Sequence, residues 1–168
     1  MQESFVQFAD TVTVTAATVL TLESTTGSLV PAGSLTLVAA AGVVLHDDMT
    51  AAASNKPLVI DADYESEGDG TLTVQTGKTV TSNKSDVTIT AWDVTFDGGI
   101  SAGTASIVIH GAEATQTIGL GTTPTNMAIE DAELGRMTAA GTAARAGPRP
   151  PARGVGEARF DQWVRRPS

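Results

Sequence analysis

The chain has 168 residues, 19 of them acidic and 10 basic, with 41% hydrophobic side chains, 4% aromatic ones and no cysteine. That length suits one domain of ordinary size, and the composition excludes disulfides and thiolate metal sites and supplies a conventional sandwich core poorly. Charge divides the chain: residues 1–141 set 17 acidic side chains against Lys56, Lys78, Lys84 and Arg136, a balance of −13, whereas 142–168 set six arginines against Glu157 and Asp161, a balance of +4. An acidic body of this kind argues against nucleic-acid binding, which needs Lys and Arg on the contacting surface.

At the amino terminus, Met1 to Phe8 carries Glu3 where a secretory signal would be basic, and no apolar core segment follows, so no signal peptide is read here. Thr11, Thr13 and Thr15 alternate with Val12 and Val14, the pattern of a strand with one wet face. The longest apolar stretch, Leu35 to Leu45, is interrupted by Thr36 and Gly42 and is too short to span a bilayer, which excludes direct membrane insertion. His46-Asp47-Asp48 follows it. Neighbouring strand residues point to opposite faces, so this run is not expected to share a metal ligand, and His110 with Gly111 reads as a turn after a strand.

Ser54-Asn55-Lys56 and Ser82-Asn83-Lys84 each lead into a strand and read as the same loop used twice. Between them lies the densest acidic run, in which Asp61, Asp63, Glu65, Glu67 and Asp69 stand at alternate positions. These five are the metal candidates of the chain, with Ca²⁺ as the cation. Counted from Asp61, however, the sixth and twelfth positions of an EF-hand loop hold Ser66 and Leu72, where Gly and a bidentate Glu are required. A solvated acidic loop at a corner is the reading carried forward, and no other cofactor is expected.

From here a period emerges. Leu72 and Val74 are matched by Val94 and Phe96 at an offset of 22. Val87-Thr88-Ile89 is matched by Ile107-Val108-Ile109 and then by Met127-Ala128-Ile129 at offsets of 20, and Leu58, Val80, Ile100 and Leu120 form a further column. Units this short cannot bury an apolar face alone and do so by stacking. In the run 87–97 the apolar residues are odd-numbered through Ala91 and even-numbered from Trp92, so the chain must turn a corner between them for both runs to face one interior. Further corners are expected at 68–70, Gly77, 97–99 and 102–104, where glycine supplies turn conformations. The result is an all-β parallel β-solenoid of about 20–23 residues per coil, three sides per coil and roughly six coils, forming a rod roughly 30 Å long.

Three other features bear on this frame. Asp86, Asp93 and Asp97 offer paired carboxylates for a glycosidase, without the basic residues a polysaccharide lyase needs. The Thr-x-Thr settings suggest a flat crystal-binding face, but Val108 and Ala128 interrupt the Thr88 column. The run 129–137 has apolar residues at Ile129, Leu134 and Met137 and an acidic start, which suits a short helix or end cap. Beyond Gly141 the pattern is lost in a Pro/Arg/Ala tail, so the expected domains are a repeat region, 1–141, and a disordered tail, 142–168, in which Phe160, Trp163 and Val164 form a small apolar spot.

The segments Pro57 to Asp63, Gly70 to Val74, Asp86 to Thr90, Gly99 to Gly103, Ile118 to Gly121 and Ile129 to Leu134, in that order, resemble repeats of filamentous-haemagglutinin-like exoproteins over roughly residues 34–141. The resemblance implies a right-handed parallel β-helix from a large secreted or surface-attached adhesin, an extracellular location, and no catalytic residues. The chain is therefore expected to be a fragment of such a protein, a non-enzymatic stalk or contact surface. Its expected partners are a host or neighbouring cell surface, a glycan, and further copies of the same repeat. A carbohydrate-active β-helix and a Ca²⁺-stabilised repeat module are the alternatives.

Overall fold

A computed structural model of the chain describes residues 5–123 and 125–145. The strand-forming Thr/Val/Ile/Leu segments wind into stacked three-sided coils. Coil 1 contains β1 (Val6–Phe8), β2 (Val12–Ala16) and β3 (Val19–Leu22), and coil 2 contains β4 (Leu29–Pro31), β5 (Leu35–Ala39) and β6 (Gly42–Leu45). Coil 3 contains β7 (Met49–Thr50), β8 (Leu58–Asp61) and β9 (Thr71–Val74), and coil 4 contains β10 (Thr79–Thr81), β11 (Val87–Ala91) and β12 (Asp93–Phe96). Then follow β13 (Gly99–Ser101), β14 (Ser106–Gly111), β15 (Ile118–Leu120), β16 (Met127–Ile129), the single-turn helix α1 (Asp131–Leu134), β17 (Met137–Thr138) and β18 (Gly141–Arg145).

Every ladder is parallel. The first side of each coil builds a six-stranded sheet β1-β4-β7-β10-β13-β17, the second side builds β2-β5-β8-β11-β14-β18, and the third builds β3-β6-β9-β12. The fold is a parallel β-solenoid. Its interior is made by register: Leu37, Ile60, Ile89 and Ile109 lie one above another in the second sheet, and Leu45, Val74 and Phe96 in the third, all fully buried. The corner inferred from parity is present, with Ala91 ending β11 and Val94 and Phe96 buried from β12.

The coils differ in length, and this corrects two columns read at constant spacing. In the second sheet Val12, Leu35, Leu58, Val87, Ile107 and Thr142 are neighbours, so the steps are 23, 23, 29, 20 and 35. Leu58 therefore lies in a different sheet from Val80 and Ile100, and Leu120 pairs with Ile129. Met127 to Ile129 does not continue the Val87 and Ile107 column either; it pairs with Ile118 to Leu120 and packs beside β12. Loops inserted at corners change the step without disturbing the inward parity of each strand, so a fixed period fails wherever an insertion falls. His110, read as a turn residue, lies inside β14 opposite Thr90. β18 carries the second sheet four residues past the boundary expected at Gly141, and the rest of the expected tail, with Phe160, Trp163 and Val164, lies outside the described residues.

Corners are where a ladder runs out of backbone partners, and carboxylates from neighbouring coils replace them. Asp10 Oδ1 accepts from the Ser34 amide at 2.7 Å while its Oδ2 pairs with Lys56 Nζ two coils on. Asp47 accepts from the Ser24 amide at 2.6 Å and from Lys78 Nζ at 2.7 Å, Asp48 from the Thr79 amide, and Asp86 from the Ser106 amide. The Asp10 carboxylate fills the space a Cβ on Gly33 would need, which explains glycine there. Asn55 and Asn83 of the twice-used loop both adopt left-handed backbone (φ 57° and 53°), a conformation Asn tolerates better than most residues. At α1, Glu133 accepts from the buried Phe96 amide and Arg136 donates to the Phe96 carbonyl, completing the end of β12 where no strand ladder continues.

Hydrogen bonds from Lys56 and the Ser34 amide hold Asp10 below the ordinary value of 3.8, and those from Lys78 and the Ser24 amide do the same for Asp47. A carboxylate with a depressed folded pKa contributes stability above its unfolded value and loses that contribution as pH falls through the folded value. The thermal midpoint should therefore drop as pH is lowered below about 4. The double variant Asp10→Asn, Asp47→Asn should melt lower at neutral pH and show a flatter acid limb in a calorimetric pH series; an acid limb identical to that of the parent contradicts this assignment.

Candidate functional site

The corner between the second and third sheets in coils 3 and 4 carries the acidic run and Trp92. Residues 62–70 leave the stack between β8 and β9 as a loop, and the acidic run divides into one structural carboxylate and several solvated ones. Asp63, 1% exposed, turns inward: its Oδ1 accepts from the Glu67 amide at 3.2 Å and its Oδ2 from the Gly68 amide at 3.1 Å. Asp61 Oδ1 accepts from the Asp63 amide at 3.4 Å. Glu65, Glu67 and Asp69 are exposed. Like charges at alternate positions are thereby kept apart by folding the loop back on Asp63.

The loop is seated by backbone contacts. Tyr64 N donates to the Ala39 carbonyl, Trp92 N donates to the Gly70 carbonyl, and a Cβ on Gly70 would overlap the Ala62 carbonyl, so only glycine permits this approach. Gly68 sits against the Trp92 ring with positive φ. Tyr64 is 42% exposed and donates to Glu65 Oε1 at 3.0 Å; that bond and the nearby negative charge push its hydroxyl pKa up. Asp61, Asp63, Glu65, Glu67 and Asp69 therefore do not converge, and among the described residues no group of three or more His, Asp or Glu side chains is arranged to hold a metal ion. His46, Asp47 and Asp48 form no such group either: Asp47 accepts from the Ser24 amide one coil back and Asp48 from the Thr79 amide one coil on.

Asp86 precedes β11, Asp93 opens β12 and Asp97 follows it. All of β11 separates Asp86 from Asp93, and most of β12 separates Asp93 from Asp97, about 13 Å of extended chain against the roughly 5–9.5 Å that glycosidases use. Asp93 is nonetheless distinctive. Burial raises its pKa, opposed by hydrogen bonds from the Val94 and Ala128 amides, so its own contribution to stability is greatest at low pH and is lost as pH rises through the folded value.

On the first sheet, register assembles a feature that spacing concealed. Thr50, Thr81, Ser101 and Thr138 are successive neighbours, a row of four hydroxyls about 4.8 Å apart on the outer face. Their sequence steps are 31, 20 and 37, so no period reveals them. The comparable row on the second sheet, Thr13, Thr36, Val59, Thr88 and Val108, is interrupted twice by isopropyl groups. Val108 interrupts the Thr88 column as expected, whereas Ala128 belongs to another sheet. Among the described residues no helix is long and apolar enough to cross a membrane. Comparison with known proteins returns no matching protein family, no similar curated protein and no similar solved structure.

Replacing Asp63 with alanine removes the acceptor of two loop amides and should destabilise the chain by about 1–3 kcal/mol. Limited proteolysis should then cut within residues 64–69, while Glu65→Ala, at an exposed position, should change stability by no more than about 0.5 kcal/mol. Equal effects of the two substitutions contradict the division of labour in the loop.

Proposed function

We propose that the chain is a non-enzymatic structural and adhesive segment of a large secreted or cell-surface structure. The observation that carries this reading is the set of three parallel ladders running through successive coils, braced at the corners by Asp10, Asp47, Asp48 and Asp86. Such a stack is stiff along its axis and holds loops at fixed heights, which suits a stalk that spaces contacts. The resemblance to filamentous-haemagglutinin-like repeats supports the same reading and an extracellular location.

Contact with a cell surface or glycan would fall on the hydroxyl row of Thr50, Thr81, Ser101 and Thr138, where donors and acceptors recur at strand spacing on a face with few charges. The solvated Glu65, Glu67 and Asp69 sit at the corner between the second and third sheets, away from this row, where they repel other acidic surfaces.

Immunoblotting of intracellular, surface and secreted fractions with an antibody against residues 58–110 tests the reading. Product in the surface or secreted fraction is expected; product confined to the intracellular fraction contradicts it.

A further inference from the structure

The twice-used loop lies at the corner between the first and second sheets. That corner takes residues 51–57 in coil 3 and 82–86 in coil 4, against only 32–34 in coil 2 and 102–105 in coil 5. In the second copy Asn83 is half-exposed and Lys84 and Asp86 are exposed. Both copies turn through a left-handed asparagine, but they differ two residues later. The second reads Asn83-Lys84-Ser85, the first Asn55-Lys56-Pro57, and the third asparagine of the chain stands in Asn126-Met127-Ala128.

We infer that Asn83 is a glycan-attachment site, the one Asn-x-Ser/Thr acceptor in the sequence. The inference rests on the secreted or cell-surface reading, because acceptors of this kind are modified on exported chains. The step is a group transfer. Asn83 Nδ2 bonds to the anomeric carbon of a hexose or N-acetylhexosamine carried on a diphosphate. The anomeric C–O bond breaks with its electron pair leaving on the diphosphate, and one Nδ2 proton passes to the transferase. One N–H remains on the amide, enough for the bond that Nδ2 donates to the Ala52 carbonyl at 3.4 Å.

The fold also sets when the transfer occurs. Ser85 is 1% exposed, and its Oγ accepts from the Lys56 amide at 2.9 Å while Ser82 donates to its carbonyl. The hydroxyl that completes the acceptor is thus engaged once coil 4 stacks on coil 3, so modification precedes stacking. Left-handed backbone accounts for asparagine at both 55 and 83; the hydroxyl two residues on distinguishes the second and makes the first an internal control. Asn83 follows Thr81 by two residues, so the sugar stands at the margin of the row Thr50, Thr81, Ser101 and Thr138. It would limit how closely a partner approaches that row from this corner.

Lys78 and Lys84 bound a tryptic peptide, residues 79–84. Mass spectrometry of that peptide, from product recovered from the cells that make it, should show a hexose or N-acetylhexosamine on Asn83. Asn83→Asp should abolish the sugar and keep the parent circular dichroism spectrum, since Asp also tolerates left-handed backbone. Ser85→Thr should retain the sugar, and Pro57→Ser should add a second one at Asn55. An unmodified peptide, whichever fraction it comes from, overturns the inference. So does a sugar that survives Asn83→Asp on Thr79, Thr81 or Ser82. Product confined to the cell contradicts the stalk reading instead, whatever its peptide carries.

Discussion

In a parallel stack each coil can bury its interior only if the next coil accepts its backbone edge, and everything else in this molecule follows from keeping that edge matched. Inward parity in the second sheet is preserved from Val12 and Val14 to Ile107 and Ile109, although the number of residues per coil changes. Parity fixes which side chains are inside. Coil length is free to vary because a loop at a corner sits outside the ladder. The cost of a corner is a backbone amide with no partner strand, and the side chains of Asp10, Asp47, Asp48, Asp86 and Glu133 supply acceptors there. A substantial part of the acidity of the body is thus structural rather than decorative.

This division explains what could be read from the sequence. Thr/Val alternation around residues 12–14 and the parity switch between Ala91 and Trp92 are local signals, and both are realised as a strand and a corner. The offsets linking Leu72 to Val94 and Val87 to Ile107 fall where adjoining coils carry short loops, so they report true neighbours. Leu58 and Met127 were misassigned to columns because the insertions at 62–70 and 112–126 lie between them and the expected partners. The short helix over 131–134 was legible from its acidic start, but the role of Glu133 and Arg136 on Phe96 was not, since it depends on a contact some 40 residues away. Of the candidate site, the loop position was legible. The inward turn of Asp63 was not, because alternation alone puts all five carboxylates on one face.

The faces of the rod have separate characters. The first sheet carries a hydroxyl row, the corner between the second and third sheets carries a hydrated acidic loop seated on Trp92 and Gly70, and the near end carries an almost uncharged apolar coil. Each is compatible with the proposed role, in which contacts are spaced and presented.

The most direct test of the stacking register uses the absence of cysteine. Strand neighbours in a parallel sheet lie about 4.8 Å apart, within disulfide reach. Paired substitutions Val59→Cys with Thr88→Cys, on the outer face of the second sheet, should cross-link under mild oxidation, and Val108→Cys with Ala128→Cys, which a constant period of 20 would place side by side, should not. Cross-linking of the second pair and not the first would contradict the fold described here.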